Sequence, residues 1–292
     1  MYCGEFISKK SAFATIFSRI GSLFGRGVAL SEATPRDDRR APIEGQEAVP
    51  GVRIWYVEHN PNANSEDAKA ILTKADFAEF AAIRHLETRN RSLVVRAALR
   101  QALSDSVGGK VSPDEWRFAR TENGQPILVN SGNKLKFNCS HTSYMSVIVV
   151  STVGDVGVDI ADASFDCAAD WLCEVMSKPE LKALAKLADE KRSGAVSRLW
   201  TLKEAYVKML GTGIAEIGDV AFDLGDDRLL SGSSHDWFLQ PVFRTWIVNN
   251  QGRRYSVALA SGSPTSMRAP LSRCSSEDSR GYSRDRFPAL AG

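Results

Sequence analysis

Residues 200–213 read WTLKEAYVKMLGTG. Plotted at helical spacing, Leu202, Ala205, Tyr206, Met209 and Leu210 form one apolar stripe, the pattern of a helix laid against a core. Glu204 and Lys208 lie one turn apart on the other flank, so their head groups can address the same object. Lys203 sits beside them. Gly211 and Gly213 then end the helix, as glycine does where φ must turn positive. On its own the Glu–Lys pair reads as an ordinary i,i+4 ion pair on a solvated face. A second polar constellation upstream changes that weighting.

Residues 155–160 read DVGVDI. In a period-two strand Val158 and Ile160 point to the core, while Asp159 points with Gly157 and Ala161. An acid in such a strand is costly to bury unpaired, so Asp159 either lines an open site or has a cation. Further upstream, Phe137-Asn-Cys-Ser-His-Thr142 places Ser140 and His141 at a strand end, a hydroxyl and an imidazole offered to the same space.

Outward from these motifs the chain alternates short strands with helices. Val52–Val57 is β-rich, and Thr73-Lys-Ala-Asp76 is a helix start with an acid three residues after the cap. Helical pattern then runs to Leu103, with a break expected near 87–90. Its later part carries Arg91, Arg96 and Arg100 away from the apolar face, and three such arginines read as solvated. Trp116–Ala119, Leu135–Phe137 and Tyr144–Ser151 read as strands, and Glu122-Asn-Gly-Gln-Pro126 is a turn. Ser177-Lys-Pro-Glu180 is a capping box with proline in the first turn, which makes Glu180 a capping residue. Phe222, 237–241, 243–248 and 255–260 read as closing antiparallel strands. Strands surround a helical segment in both halves, which predicts an α+β fold of two pseudo-symmetric lobes with a ligand cleft between them.

The flanks read differently. Phe13, Ile16, Phe17, Ile20 and Phe24 recur at helical spacing among Lys9, Lys10, Arg19 and Arg26, the pattern of an amphipathic targeting or membrane-surface helix. A polar linker containing TPRDDRRAP follows. The expected division is an extension over 1–50, lobes over 51–154 and 155–262, and a disordered tail over 263–292. The chain has 292 residues and a formal net charge of +2, too balanced for a nucleic-acid binder. Five scattered cysteines without CxxC spacing argue against a disulfide framework or a structural zinc site and fit a reducing, cytoplasmic setting. No apolar run is long enough to span a bilayer.

Taken in order, ENGQP, FNCSHT, GVDI, SKPE and WTLKEAYVKMLGTG resemble the motifs of a 4′-phosphopantetheinyl transferase of the larger, surfactin-synthetase-activating type. The resemblance runs from about residue 51 to 260 and is strongest from Gln125 to Gly213. It implies a monomeric enzyme that binds coenzyme A between its lobes, with Mg²⁺ on the pyrophosphate. A serine of an apo acyl or peptidyl carrier protein attacks the β-phosphate, and 3′,5′-ADP leaves. By the same matching, Asp159 and Glu204 supply the metal's carboxylates, and Glu204 and Lys208 are the catalytic pair. Ser140 and His141 contact the nucleotide phosphates, Arg91 meets the 3′-phosphate, and Lys203 helps hold the pyrophosphate.

Three departures stand out. The family's acid two residues after the strand aspartate is Ala161 here, and Asp162 faces the other way in a regular strand. Gln125 replaces the lysine of the Gly-Lys-Pro turn. Ala75, Ala78 and Ala81 stand where relatives carry basic residues. The alternative these departures raise is a degenerate member that binds coenzyme A or carrier protein without transfer. Walker A, HExxH and GxSxG motifs are absent from the sequence.

Overall fold

The computed structural model describes residues 45–59, 70–130, 132, 135–164, 169–213, 217–232 and 241–262. The expected N-terminal helix, the linker up to residue 44, the C-terminal tail and most of the expected 237–241 strand lie outside them; the end of the expected linker is corrected, because Glu47–Val49 form a strand paired with the next one. Strands β1 (Glu47–Val49), β2 (Val52–Glu58), β5 (Lys136–His141) and β6 (Met145–Ser151) make one antiparallel sheet in the order β1-β2-β6-β5. Strands β7 (Val156–Asp162), β10 (Val242–Asn250) and β11 (Arg253–Ser261) make a second, in the order β10-β11-β7. Two small hairpins, β3 (Phe118–Arg120) with β4 (Pro126–Leu128) and β8 (Ala221–Phe222) with β9 (Leu229–Ser231), sit outside these sheets.

Period-two alternation decides what each face meets. Ile54, Val147 and Val149 pack with Val158, Ile160, Val257 and Leu259 into a core between the two sheets. The opposite residues of the first sheet, Ile148 and Val150, pack with Leu99, Ala102 and Leu103 of α2 (Leu86–Ser106). Two short helices, α3 (Ala169–Val175) and α4 (Lys178–Leu184), precede α5 (Asp189–Leu210), whose Leu202, Ala205, Tyr206 and Met209 pack with Ala258 and Ala260 of the second sheet. The result is helix, sheet, sheet, helix, an α+β architecture. Each aliphatic side chain taken fully from water in these layers contributes roughly 1.5–3 kcal/mol, more than helix propensity supplies per residue.

Two local expectations are corrected. The break in the first helical segment falls at 81–85, not 87–90: α1 (Lys74–Phe80) ends there, and His85 caps α2 by accepting from the Thr88 N–H. Arg96 and Arg100 are buried rather than solvated. Arg96 donates to Asp76 at 2.8 Å and to Glu79 at 2.8 Å, and its guanidinium lies 4.2 Å from the Phe118 ring centroid. Arg100 donates to Asp76 at 2.9 Å and to the carbonyls of Pro113 and Trp116. Asp76 also accepts from the Thr73 N–H, closing a capping box. One acid therefore caps α1 and neutralises two cations of α2.

Burial would raise the pKa of Asp76, but the Thr73 N–H and hydroxyl, then Arg100 and Arg96, outweigh it and hold the carboxyl below its ordinary value. A depressed carboxylate contributes stability that is full above its unfolded value, near 3.8, and is lost as pH falls through the folded value. Replacing it leaves two buried arginines short of a partner, which costs about 3–5 kcal/mol. Urea unfolding should therefore show Asp76→Asn well below wild type at pH 7, with the gap narrowing only below about pH 4. A constant gap across that range would mean the carboxylate is not the source of the stabilisation.

Candidate active site

The site begins with a missing side chain. Gly157 lies on the same face of β7 as Asp159, and a Cβ built there would stand 1.9 Å from the Ala205 carbonyl oxygen and 2.5 Å from the Met209 nitrogen. The backbone of α5 therefore rests directly on the strand. That close approach carries Glu204 and Lys208, one turn apart, down to Asp159. The Lys208 Nζ lies 2.5 Å from Asp159 Oδ1 and 3.8 Å from Glu204 Oε2. The two carboxyls flank one ammonium.

β5 closes the site from the other sheet. The Val158 N–H donates to Asn138 Oδ1 at 3.2 Å, which ties β7 to β5 across the sheet edges. Two residues on, the Ser140 hydroxyl donates to Asp159 Oδ1 at 2.6 Å and accepts from the Lys208 Nζ at 3.2 Å. The site thus lies on the seam between the sheets. Ser140, assigned by resemblance to nucleotide phosphates, here orders the acid and the lysine.

The electrostatics are uneven. Burial of Lys208 favours its neutral form, but Asp159 and then Glu204 outweigh that and raise its pKa, so the ammonium persists at neutral pH. Glu204 is pushed up out of the usual carboxylate range by burial and by Asp159, against the pull of Lys208. Its Oε1 is buried with no hydrogen-bond partner among the described residues. A buried carboxylate oxygen without a donor is a site wanting a cation or a proton.

His141 ends β5 at the open rim, and its pKa is lowered by its crowded surroundings, then by Arg91 and Lys208. His59, hydrogen-bonded to the Ser146 hydroxyl at 2.9 Å, is held down to about 4 by burial, Arg91 and His141. Both imidazoles are neutral at neutral pH. Arg91 on α2 is half-buried, and no carboxylate pairs with it among the described residues. The structure thus brings Arg91, Ser140, His141, Asp159, Glu204 and Lys208 to one neighbourhood, with His59 as a member that the sequence reading missed.

Lys203 is the correction. It has no solvent exposure and forms an ion pair with Glu180 at 2.7 Å. Its Nζ also donates to the carbonyls of Val175 at 2.8 Å and Val220 at 2.5 Å. With its three donors engaged by Glu180, Val175 and Val220, it cannot hold a pyrophosphate at the seam. Glu180 does close the capping box of α4 (Lys178–Leu184), and it also accepts from the Phe222 N–H at 2.9 Å. The sequence did hold a signal: Trp200 and Val207 flank Lys203 at helical spacing, so that face is apolar too.

The donors at the seam decide whether Mg²⁺ fits. Among the described residues no group of three or more His, Cys, Asp or Glu stands ready to hold a metal. Asp162 keeps regular register opposite Tyr255, so no bend brings it round, and Ala161 packs against the core between the second sheet and α5. What remains is Asp159 plus Glu204 with its orphan oxygen. Two hard carboxylates suit Mg²⁺, which is commonly bound by one or two of them with substrate phosphates and waters.

Residues 155–260 match the family model of the 4′-phosphopantetheinyl transferase superfamily. The match spans β7, α5 and the three residues that meet over Gly157. Over 177 residues the chain is 28% identical to the 4′-phosphopantetheinyl transferase HetI of Nostoc sp., covering 59% of this chain and 74% of that protein. It is 32% identical to the L-aminoadipate-semialdehyde dehydrogenase-phosphopantetheinyl transferase of Eremothecium gossypii, covering 56% of this chain and 59% of that one. Among solved structures, a holo-(acyl-carrier-protein) synthase from Bacillus anthracis in complex with CoA (3′,5′-ADP) aligns over 39% of this chain and 98% of its own. Its identity is 18% and its TM-score 0.31, too slight a likeness to transfer any geometry. No helix among the described residues is long and apolar enough to cross a membrane.

Proposed function

We propose that this chain, an enzyme of the 4′-phosphopantetheinyl transferase kind by the match and relatives just described, moves the 4′-phosphopantetheine arm of coenzyme A to a serine of an apo acyl or peptidyl carrier protein. The reading is of the larger, surfactin-synthetase-activating type, with both sheet-and-helix units in one chain, a cleft along their seam, and action as a monomer in the cytoplasm. The observation that carries it is the convergence of Asp159, Glu204 and Lys208 on one point, two acids and a cation of the kind phosphoryl transfer uses.

In the proposed reaction the carrier serine oxygen bonds to the β-phosphorus of coenzyme A. The bond from that phosphorus to the bridging oxygen breaks, and 3′,5′-ADP leaves with the electron pair. Glu204, whose Oε1 has no hydrogen-bond partner among the described residues, takes the serine proton. The Lys208 ammonium faces the negative charge gathering on the leaving phosphate, where preorganised positive charge is most effective. Ser140 holds Asp159 and Lys208 in register. Arg91 and the neutral imidazole of His141 offer donors to the nucleotide phosphates. Mg²⁺, held by Asp159 and Glu204, would draw charge from the pyrophosphate and orient it for in-line attack.

The test is direct. Purified protein, coenzyme A, Mg²⁺ and a panel of apo carriers from fatty-acid, polyketide and nonribosomal-peptide assembly are mixed and read by mass spectrometry. At least one carrier should gain the phosphopantetheine increment. Chelation should stop the gain and added Mg²⁺ restore it. Binding of coenzyme A with no increment on any carrier would replace this reading with the degenerate binder.

A further inference from the structure

The β3–β4 turn reaches across to the end of α5. A helix leaves its last carbonyls without intrahelical partners. In α5 the Gly211 N–H satisfies Val207 at 2.9 Å, and Gly211 then turns the chain at φ 73°. A continuing helix would bring a donor to the Lys208 carbonyl; the turn takes it away. The Gln125 Nε2 supplies it instead, donating to the Lys208 carbonyl at 2.9 Å across 83 residues of sequence. Beside it Asn123 Nδ2 donates to the Gly211 carbonyl at 3.0 Å.

Gln125 is itself held in place. Its N–H donates to the Thr121 hydroxyl at 3.1 Å, and its carbonyl accepts from the Thr121 N–H at 2.9 Å. The glycine makes room for it: a Cβ on Gly211 would lie 2.7 Å from Gln125 Oε1. A rigid turn from the first lobe thus caps the final turn of α5 from outside, at the residue whose ammonium stands between Asp159 and Glu204.

We infer that Gln125 is a positioning residue for Lys208. Through the Lys208 carbonyl it holds that backbone, and with it the reach of the ammonium to Asp159. Among the described residues its side-chain amide bonds the Lys208 carbonyl and neither of the acids. The kinetic arm of the inference rests on the transferase reading above; the structural arm does not. Helix ends without their caps open locally at little cost, and small misplacement of a catalytic group lowers turnover steeply.

The experiment compares Gln125→Leu, Gln125→Glu and Gln125→Lys with wild type. Leucine and glutamate both remove the donor. Glutamate keeps the size of the side chain, so it serves if leucine does not fold. Lysine restores a donor to the carbonyl. Hydrogen exchange over 207–213 should quicken several-fold in the donor-less variants, as expected for an uncapped helix end. In the transfer assay kcat should fall about tenfold with KM for coenzyme A nearly unchanged, the loss expected of a displaced group. Gln125→Lys should recover most of both. Unchanged exchange, unchanged kcat, or a rise in KM with kcat intact would overturn the inference, the last because it would put the amide on substrate. If wild type transfers nothing, the reaction reading fails, while the exchange result still judges the cap.

Discussion

Gly157→Ala should disable the enzyme more thoroughly than most changes at charged positions. The new methyl group would stand 1.9 Å from the Ala205 carbonyl oxygen and 2.5 Å from the Met209 nitrogen, both of them backbone atoms. No rotamer relieves that contact, so α5 must lift from β7 by about an ångström or more, a shift that can cost on the order of 10²-fold in rate. Overpacking of this kind also costs about 1–3 kcal/mol. The expected result is a fall in kcat of about 10²-fold or more together with a lower melting temperature. Gly194→Ala in the same helix is the control. Among the described residues its Cβ would meet only the Ala163 carbonyl oxygen, at 3.8 Å, and the helix gains by losing a glycine. If Gly157→Ala turns over normally while folding normally, the direct seating of helix on strand is wrong, and with it the account of how Glu204 and Lys208 reach Asp159.

That seating also explains which parts of the molecule were legible in the sequence. Asp159, Glu204 and Lys208 could be picked out because their signals are local: an acid breaking period two in an apolar strand, and an acid and a base one helical turn apart. The α+β layering follows from the same alternation at Ile54, Val147 and Val158. Contacts that depend on the assembled fold left no comparable trace. Trp200 and Val207 hint that Lys203 is buried, but no local residue names Glu180 and the carbonyls of Val175 and Val220 as its partners. A lysine next to a glutamate expected at the metal reads as a phosphate ligand until its neighbours are known. Asp76 reads as a cap because its two arginines arrive from another helix. Gln125 reads as a lost lysine, and only the fold shows the carbonyl it bonds.

The two acids of the site should part company when each is neutralised in turn, and the divergence is the sharper test. Both Asp159→Asn and Glu204→Gln are expected to lower transfer at least about 10²–10³-fold, the scale seen when one preorganised charge or donor is removed from a site. Their effects on stability should have opposite signs. Asp159 is matched in the free protein, accepting from Lys208 at 2.5 Å and from Ser140 at 2.6 Å. Asparagine keeps the shape but weakens a charge-assisted bond, at a cost of about 1.5–3 kcal/mol. Glu204 is buried with one oxygen unpartnered among the described residues, and Asp159 adds repulsion that Lys208, 3.8 Å away, offsets only in part. Glutamine removes the charge that burial penalises, so Glu204→Gln should melt at or above wild type, by a few degrees for each ~1 kcal/mol gained in a protein of this size. An acid kept at an energetic loss and indispensable to turnover is one retained for what it binds or accepts during reaction. Thermal melts beside the transfer assay decide it. A Glu204→Gln protein that is clearly less stable than wild type would show that the carboxylate is satisfied in the free state, leaving no unmet demand for a metal or a proton to fill.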